Sequence, residues 1–244
     1  MFNLHLAPPM KTLIRTLAVF GVLAVVGRAQ VVDAFWNFSG GEVGSDEAAW
    51  LPANITGGTI SADNLYPESN LRFNSSHNSS ERYLGASGGH NASVGIVGGS
   101  LDTATSTYFE FTLIPDAGLQ LSATSFQLGS FSDESGPTKL TLLASTDCFS
   151  TYTTLGSPVT VSVDGSWHLI FFSEISKTWT VDTPVTFRLY GTNGSGSDDT
   201  SNWRIDDVSL GVVAVPEPPT YAAMLMGVSL LGLRAWRRRQ SPVA

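Results

Sequence analysis

The residues that could do chemistry are acidic pairs, one serine motif, a lone thiol and a set of tryptophans. Hydrolysis of a glycan needs two carboxylates a few ångströms apart, one of them held protonated. Asp133-Glu134, Asp198-Asp199 and Asp206-Asp207 are adjacent acids, but sequence alone does not select one pair as a working couple. Gly85-Ala86-Ser87-Gly88-Gly89 fits the Gly-x-Ser-x-Gly spacing of a nucleophile elbow, with His90 directly after it. An elbow works where a strand feeds a helix, and Gly89-His90-Asn91-Ala92-Ser93 does not open one, so the segment reads as a loop. His77 and His168 lack metal-ligand spacing, and neither paired cysteines nor a phosphate loop is present. The residues therefore point away from catalysis.

Two kinds of binding remain open. Calcium takes oxygen ligands from carboxylates and loop carbonyls. Asp198 and Asp199, in the loop before the last strand, and Asp206 and Asp207, which interrupt its alternation, are the candidate ligands. The plain alternative is four solvated acids around a simple bulge. Trp50 and Trp179 stand in loop-like surroundings and are expected to be exposed as stacking faces for sugar rings, whereas Trp203 is expected in the core. Cys148 is the only cysteine, so no disulfide forms within the chain. It is expected to be buried as a small apolar side chain.

Those residues must be positioned by strands. Phe109, Phe111 and Leu113 alternate with Tyr108, Glu110 and Thr112, and Val185, Phe187 and Leu189 with Thr186, Arg188 and Tyr190, the period of a strand with one face buried. Leu119, Leu121 and Ala123 alternate too, but Phe126 and Leu128 fall on the other parity, which predicts a bulge near Thr124 and Ser125. The same reasoning predicts a bulge at Asp206-Asp207, between Trp203 and Ile205 on one parity and Val208, Leu210 and Val212 on the other. Further strands are expected over 34–38, 94–97, 139–145, 159–163, 167–172 and 203–213, separated by turn-rich clusters. No amphipathic helix is evident. The expected fold is all-β: an antiparallel β-sandwich, jelly-roll-like, over 30–214.

Charge divides the chain differently. Residues 30–215 hold six basic side chains against twenty acids, a balance of −14, while both ends are basic. An acidic body repels a polyanion, so nucleic acid is excluded as a partner. Lys11 and Arg15 precede the apolar run 17–26, and Gly27 and Ala29 occupy the small-residue positions of a signal-peptidase site. Residues 1–29 thus read as a signal peptide, although the first nine could be a misassigned start. At the other end Val215-Pro216-Glu217-Pro218 precedes an apolar stretch, 221–233, and then Arg234, Arg237, Arg238 and Arg239. As a helix, 221–236 reaches roughly 24 Å, short of a ~30 Å hydrocarbon core. Snorkelling arginines and the interfacial Trp236 make it fit as one short transmembrane helix, arginines on the cytoplasmic side.

The three-part end, 215–239, resembles the PEP-CTERM sorting signal of exported bacterial proteins. A Gram-positive sortase signal would need a Leu-Pro-x-Thr-Gly motif, which is absent, and a glycolipid-anchor signal would lack the terminal arginines. The resemblance implies processing by an exosortase, after signal peptidase has acted, with the cytoplasmic membrane as a transient anchor. It also implies a destination at the cell surface or in a matrix of extracellular polysaccharide, itself a possible partner. The body resembles a β-sandwich module found ahead of this signal. That likeness rests on Tyr108-Phe109-Glu110-Phe111, Ser145-Thr146-Asp147-Cys148-Phe149, Val185-Thr186-Phe187-Arg188-Leu189-Tyr190-Gly191 and Trp203-Arg204-Ile205-Asp206-Asp207-Val208. Cys148 stands where the module would have glycine, so the turn there could differ. Three functions follow: a non-enzymatic structural or adhesive module, a carbohydrate-binding module with or without calcium, and a secreted glycan hydrolase. The first is the primary expectation.

Overall fold

The computed structural model describes residues 32–38, 45–67, 69–74, 90–196, 202–216 and 229. All lie in Val31–Ala244, one of the chain's two compact units. The first strands are β1 (Val32–Trp36), β2 (Ser45–Asp46), β3 (Ile55–Asp63), β4 (Arg72–Asn74), β5 (Asn91–Val94), β6 (Tyr108–Pro115) and β7 (Leu119–Ser132). Then come β8 (Lys139–Ser145), β9 (Thr153–Thr154), β10 (Val159–Thr160), β11 (Trp167–Phe172), β12 (Lys177–Thr178), β13 (Val185–Thr192) and β14 (Trp203–Pro216). One sheet runs β11-β7-β14-β5-β4, with β1 on β14 and β12 on β7. The other runs β10-β8-β13-β6-β3-β2, with β9 on β8. Every pairing is antiparallel.

The alternating residues face each other between the sheets. Phe109, Phe111, Leu113, Phe187 and Leu189 of the second sheet are buried against Phe126, Leu128, Ile205 and Leu210 of the first. Ring pairs join the layers: Trp36 lies 4.5 Å from Phe111 between centroids, and Trp203 packs edge-on to Phe109 at 4.8 Å. The Trp36 indole donates to the Gly58 carbonyl at 2.5 Å, so the polar edge of a fully buried ring is satisfied. Trp203 is in the core as expected, and its ring leaves no room opposite. A Cβ on Gly191 would come within 2.8 Å of it. The glycine that ends one motif block is therefore the floor on which the tryptophan that begins another rests.

Both expected bulges are present. Along the β7–β14 ladder Ser125 faces Gly211 but Ala123 faces Val212, so Thr124 is the extra residue. Asp206 faces Gly129 and Ser209 faces Gln127, so β14 carries one residue too many at Asp207, which adopts φ +47°. Strands over 139–145 and 167–172 occur with those bounds. The strand expected at 34–38 runs Val32–Trp36 instead, because Phe38 turns out at φ +52°. That expected at 94–97 runs Asn91–Val94, with Ile96 reduced to a single bridge to Leu65. The strand β3 was not expected at all, since Gly57 and Gly58, at φ +90° and +87°, break its apolar period.

Gly191→Ala should cost about 2 kcal/mol in urea unfolding, the scale of overpacking a filled core. An unchanged midpoint would show that the Trp203 ring yields to the extra methyl group.

Candidate functional site

Three of the four motif blocks meet on the outer face of the second sheet. Arg188 points outward from β13, directly opposite Glu110 of β6, and its Nε donates to Glu110 Oε2 at 2.5 Å. The guanidinium lies between two rings, 4.1 Å from the centre of Tyr108 and 3.9 Å from that of Phe149. Its Nη1 donates to Tyr190 Oη at 3.4 Å, and the Tyr190 hydroxyl donates to the Thr103 carbonyl at 3.2 Å. Tyr108 in turn donates to Asp63 Oδ2 at 3.3 Å. A cation held between aromatic faces and paired with a carboxylate is a clamp, and every polar atom named in it has a partner.

The loop after β8 is built to deliver Phe149 to that clamp. Ser145 Oγ donates to Asp147 Oδ1 at 2.8 Å and accepts from the Phe149 amide at 2.9 Å. The Thr151 amide and hydroxyl donate to the two Asp147 oxygens at 2.9 and 2.7 Å. These bonds, the Thr151 amide first, hold the Asp147 carboxyl below the usual carboxylate range. Cys148 and Phe149 both take left-handed backbone, φ +56° and +62°, a conformation glycine adopts at no cost. The cysteine thus holds a left-handed position that glycine would fill without strain. It is also exposed, correcting its expected burial: the turn needs its backbone, and nothing packs over the side chain.

Burial raises the Tyr108 phenol to about 12, with Asp63 and Glu110 adding to the shift and Arg188 opposing it. Burial likewise raises Tyr190. Arg188 is also raised: burial acts to lower it but is outweighed by the bonds to Tyr190 and Glu110. On the first sheet, His168 Nε2 lies 2.9 Å from Asp164 Oδ1, a bond that lowers the Asp164 carboxyl.

Among the described residues, two of the acidic pairs are engaged locally. Asp133 Oδ1 accepts from the Ser135 amide and hydroxyl and the Gly136 amide at 2.9 to 3.1 Å, which spends it on a turn. Asp206 and Asp207 are buried at the β14 bulge, where the Asp207 amide donates to Asp206 Oδ1 at 2.8 Å. Asp198 and Asp199 lie outside the described residues, as do Gly85–Gly89 and His77. Among the described residues, no three His, Cys, Asp or Glu side chains gather as a cation site would require.

The two candidate stacking tryptophans part company. Trp50 is 60% exposed. Trp179 is buried: its amide donates to the Leu121 carbonyl at 2.9 Å and its ring stands edge-on to Phe187 at 5.6 Å. Short β12 tucks against the start of β7 and turns that ring inward, so Trp179 cannot serve as an exposed face. The Arg188 clamp went unselected in the sequence, although one signal was there: a cation and an anion at outward positions of two alternating strands.

At the C-terminal end, β14 runs without a break into the sorting signal, Val215 facing Gln120 and Pro216 facing Leu119. Glu217, Pro218, Arg234, Arg237, Arg238 and Arg239 lie outside the described residues, as do Gly27 and Ala29. Among the described residues no helix is long and apolar enough to cross a membrane. Of 221–236 only Ser229 is described, and it is helical.

Residues 214–239 match the PEP-CTERM protein-sorting motif, so the chain carries the sorting signal of an exported protein. No curated protein matches it in sequence. Similar solved structures include a CBM4 structure, 18% identical over 52% of this chain and 73% of that one, with a TM-score of 0.31. The family 11 carbohydrate-binding module of a Clostridium thermocellum cellulosomal cellulase is 12% identical over 75% and 95%, TM-score 0.33. A cleaved adhesin domain of Porphyromonas gingivalis Lys-gingipain is 13% identical over 75% and 98%, TM-score 0.31. At these scores the likeness carries no ligand over to this chain.

The clamp makes a paired prediction. Arg188→Ala should lower stability by about 2 kcal/mol, because Glu110 loses its partner and two rings lose their cation. It should also move Tyr108 ionisation further up, as the opposing charge is gone. In the unaltered protein the phenol rises from 10.0 to about 12 on folding. The stability it contributes is thus complete below pH 10 and fades as pH climbs through 12. Absorbance titration of tyrosinate beside chemical unfolding checks both, and a Tyr108 that ionises near pH 10 would contradict the burial.

Proposed function

We propose that this chain is a non-enzymatic exported protein whose β-sandwich serves as a structural or adhesive module at the cell surface or in the extracellular matrix. Signal peptidase removes residues 1–29 after Ala29. The segment 221–236 then holds the chain in the cytoplasmic membrane, with Arg234, Arg237, Arg238 and Arg239 inside. An exosortase processes it near Val215–Pro218 and releases the sandwich outward.

The observation that carries this reading is the continuity of β14 with the matched motif, 214–239. No linker separates the last core strand from the signal, so the module and its means of delivery are one piece. The other end of the sheet adds support. Val32 of β1 faces Val212 of β14 in antiparallel register, and the strand that enters the sandwich therefore starts beside the strand that leaves it. The local backbone bonds that absorb Asp133 and Asp206 favour a non-catalytic body over a glycan hydrolase.

Fractionation of the native organism should find the protein outside the cytoplasmic membrane. A Glu217→Ala/Pro218→Ala variant should accumulate in the membrane at higher mass. Cytoplasmic soluble protein retaining both ends would refute the proposal.

A further inference from the structure

The registers of three strand pairs and one isolated bridge assemble a row of side chains that no single segment announces. Phe171 of β11 faces Gln127 of β7, Gln127 faces Ser209 of β14, Ser209 faces Phe35 of β1, and Phe35 bridges to Trp50. Partners directly opposite across an antiparallel ladder share a face. That face is the outer one, because the chain neighbours Ile170, Phe172, Phe126, Leu128, Val208, Leu210, Ala34 and Trp36 all point into the core. The row crosses the strands, and at about 4.8 Å per strand its ends are about 19 Å apart.

Both ends are exposed rings, Phe171 at 59% and Trp50 at 60%, and between them lie Gln127, the buried Ser209 and the half-buried ring of Phe35 beside Trp50. Gln127 offers an amide, and Ser209 Oγ donates to Asp33 Oδ2 at 2.6 Å, fixing that carboxylate beside the row. One row along, Gly129 faces Asp206 and Leu169, so the floor there has no side chain on β7. One row further, Trp167 and Phe131 pair at 5.8 Å, with the Arg204 guanidinium 4.7 Å over the Phe131 ring. The bulge at Asp207 sets this arrangement. Regular alternation from Ile205 would turn Val208 outward and Ser209 inward, and the extra residue reverses them.

We propose that this face binds a neutral polysaccharide laid across the strands from Phe171 to Trp50. The inference rests on the module being exported and non-catalytic, and it names what the module holds. Sugar rings present apolar C–H faces that pack on aromatic rings, and hydroxyl edges that bond to amides and carboxylates; the row, with the Asp33 carboxylate beside it, supplies both. A protein partner would call for one contiguous apolar centre with a polar rim, whereas here Gln127, Ser209 and the Asp33 carboxylate separate Phe171 from the Phe35–Trp50 pair. The balance of −14 over residues 30–215 turns away acidic polymers.

The test is affinity electrophoresis of the full chain, kept soluble in a sugar-free detergent. The gels contain xylan, mixed-linkage β-glucan, galactan or dextran, with alginate as the anionic counterpart. At least one neutral polymer should retard it, and alginate should not. Trp50→Ala and Phe171→Ala should each weaken retardation about fivefold, the scale of one lost aromatic contact. Together they should abolish it, while Trp50→Phe with Phe171→Tyr, which keeps both rings, should retain it. Tyr152→Ala, which removes an exposed ring from the loop between β8 and β9, should change nothing. Retardation by no neutral polymer, equal retardation by alginate, or binding that survives the double alanine variant overturns the proposal. So does self-association in sugar-free gels that the double variant abolishes, which would make the face a protein interface. Binding is read outside the cell, so its failure leaves the export reading standing, and mislocalisation leaves this one standing.

Discussion

Everything in this molecule depends on the ladder between β14 and β7. It is fourteen residues long on each strand, carries two register shifts, and lies at the centre of the first sheet with β5 and β1 on its other side. The inward side chains of β14, from Trp203 to Val212, supply the middle of the core. Its outward set, re-aimed by the bulge at Asp207, supplies the middle of the aromatic row. Its last residues are already the sorting signal. Folding, surface chemistry and delivery are therefore coupled through one strand, and a change of register there would disturb all three at once.

The second sheet has a different task. Its outer face is closed by the Arg188 clamp, in which one cation satisfies Glu110 and fills the space between Tyr108 and Phe149. The motif blocks of the body thereby have visible structural roles. One supplies the anion, one the left-handed turn that brings Phe149 over, and one the arginine and Gly191, which receives the Trp203 ring.

Much of this was legible in the chain, for a physical reason. Strands with one face in the core must alternate, so Phe109, Phe111 and Leu113 declared themselves, and a broken parity at Thr124 and at Asp207 could only mean a bulge. Where backbone freedom replaces side-chain pattern the signal disappears, as in β3 with Gly57 and Gly58. Trp179 misled because its sequence neighbours are polar while its ring is carried inward by a two-residue strand. The aromatic row was not legible at all, since Asp33 and Ser209 meet across a separation of 176 residues. Such a row forms only once register is set.

The most direct measurement is the mass of the C-terminal peptide of the protein recovered from outside the cell. If β14 is held against β7 when the sorting signal is processed, the chain should end at Pro216 or a few residues beyond it, with the strand intact. A C-terminus inside β14, before Ala214, would mean that the strand had come away from the sheet, contradicting the ladder as the element that joins fold to delivery.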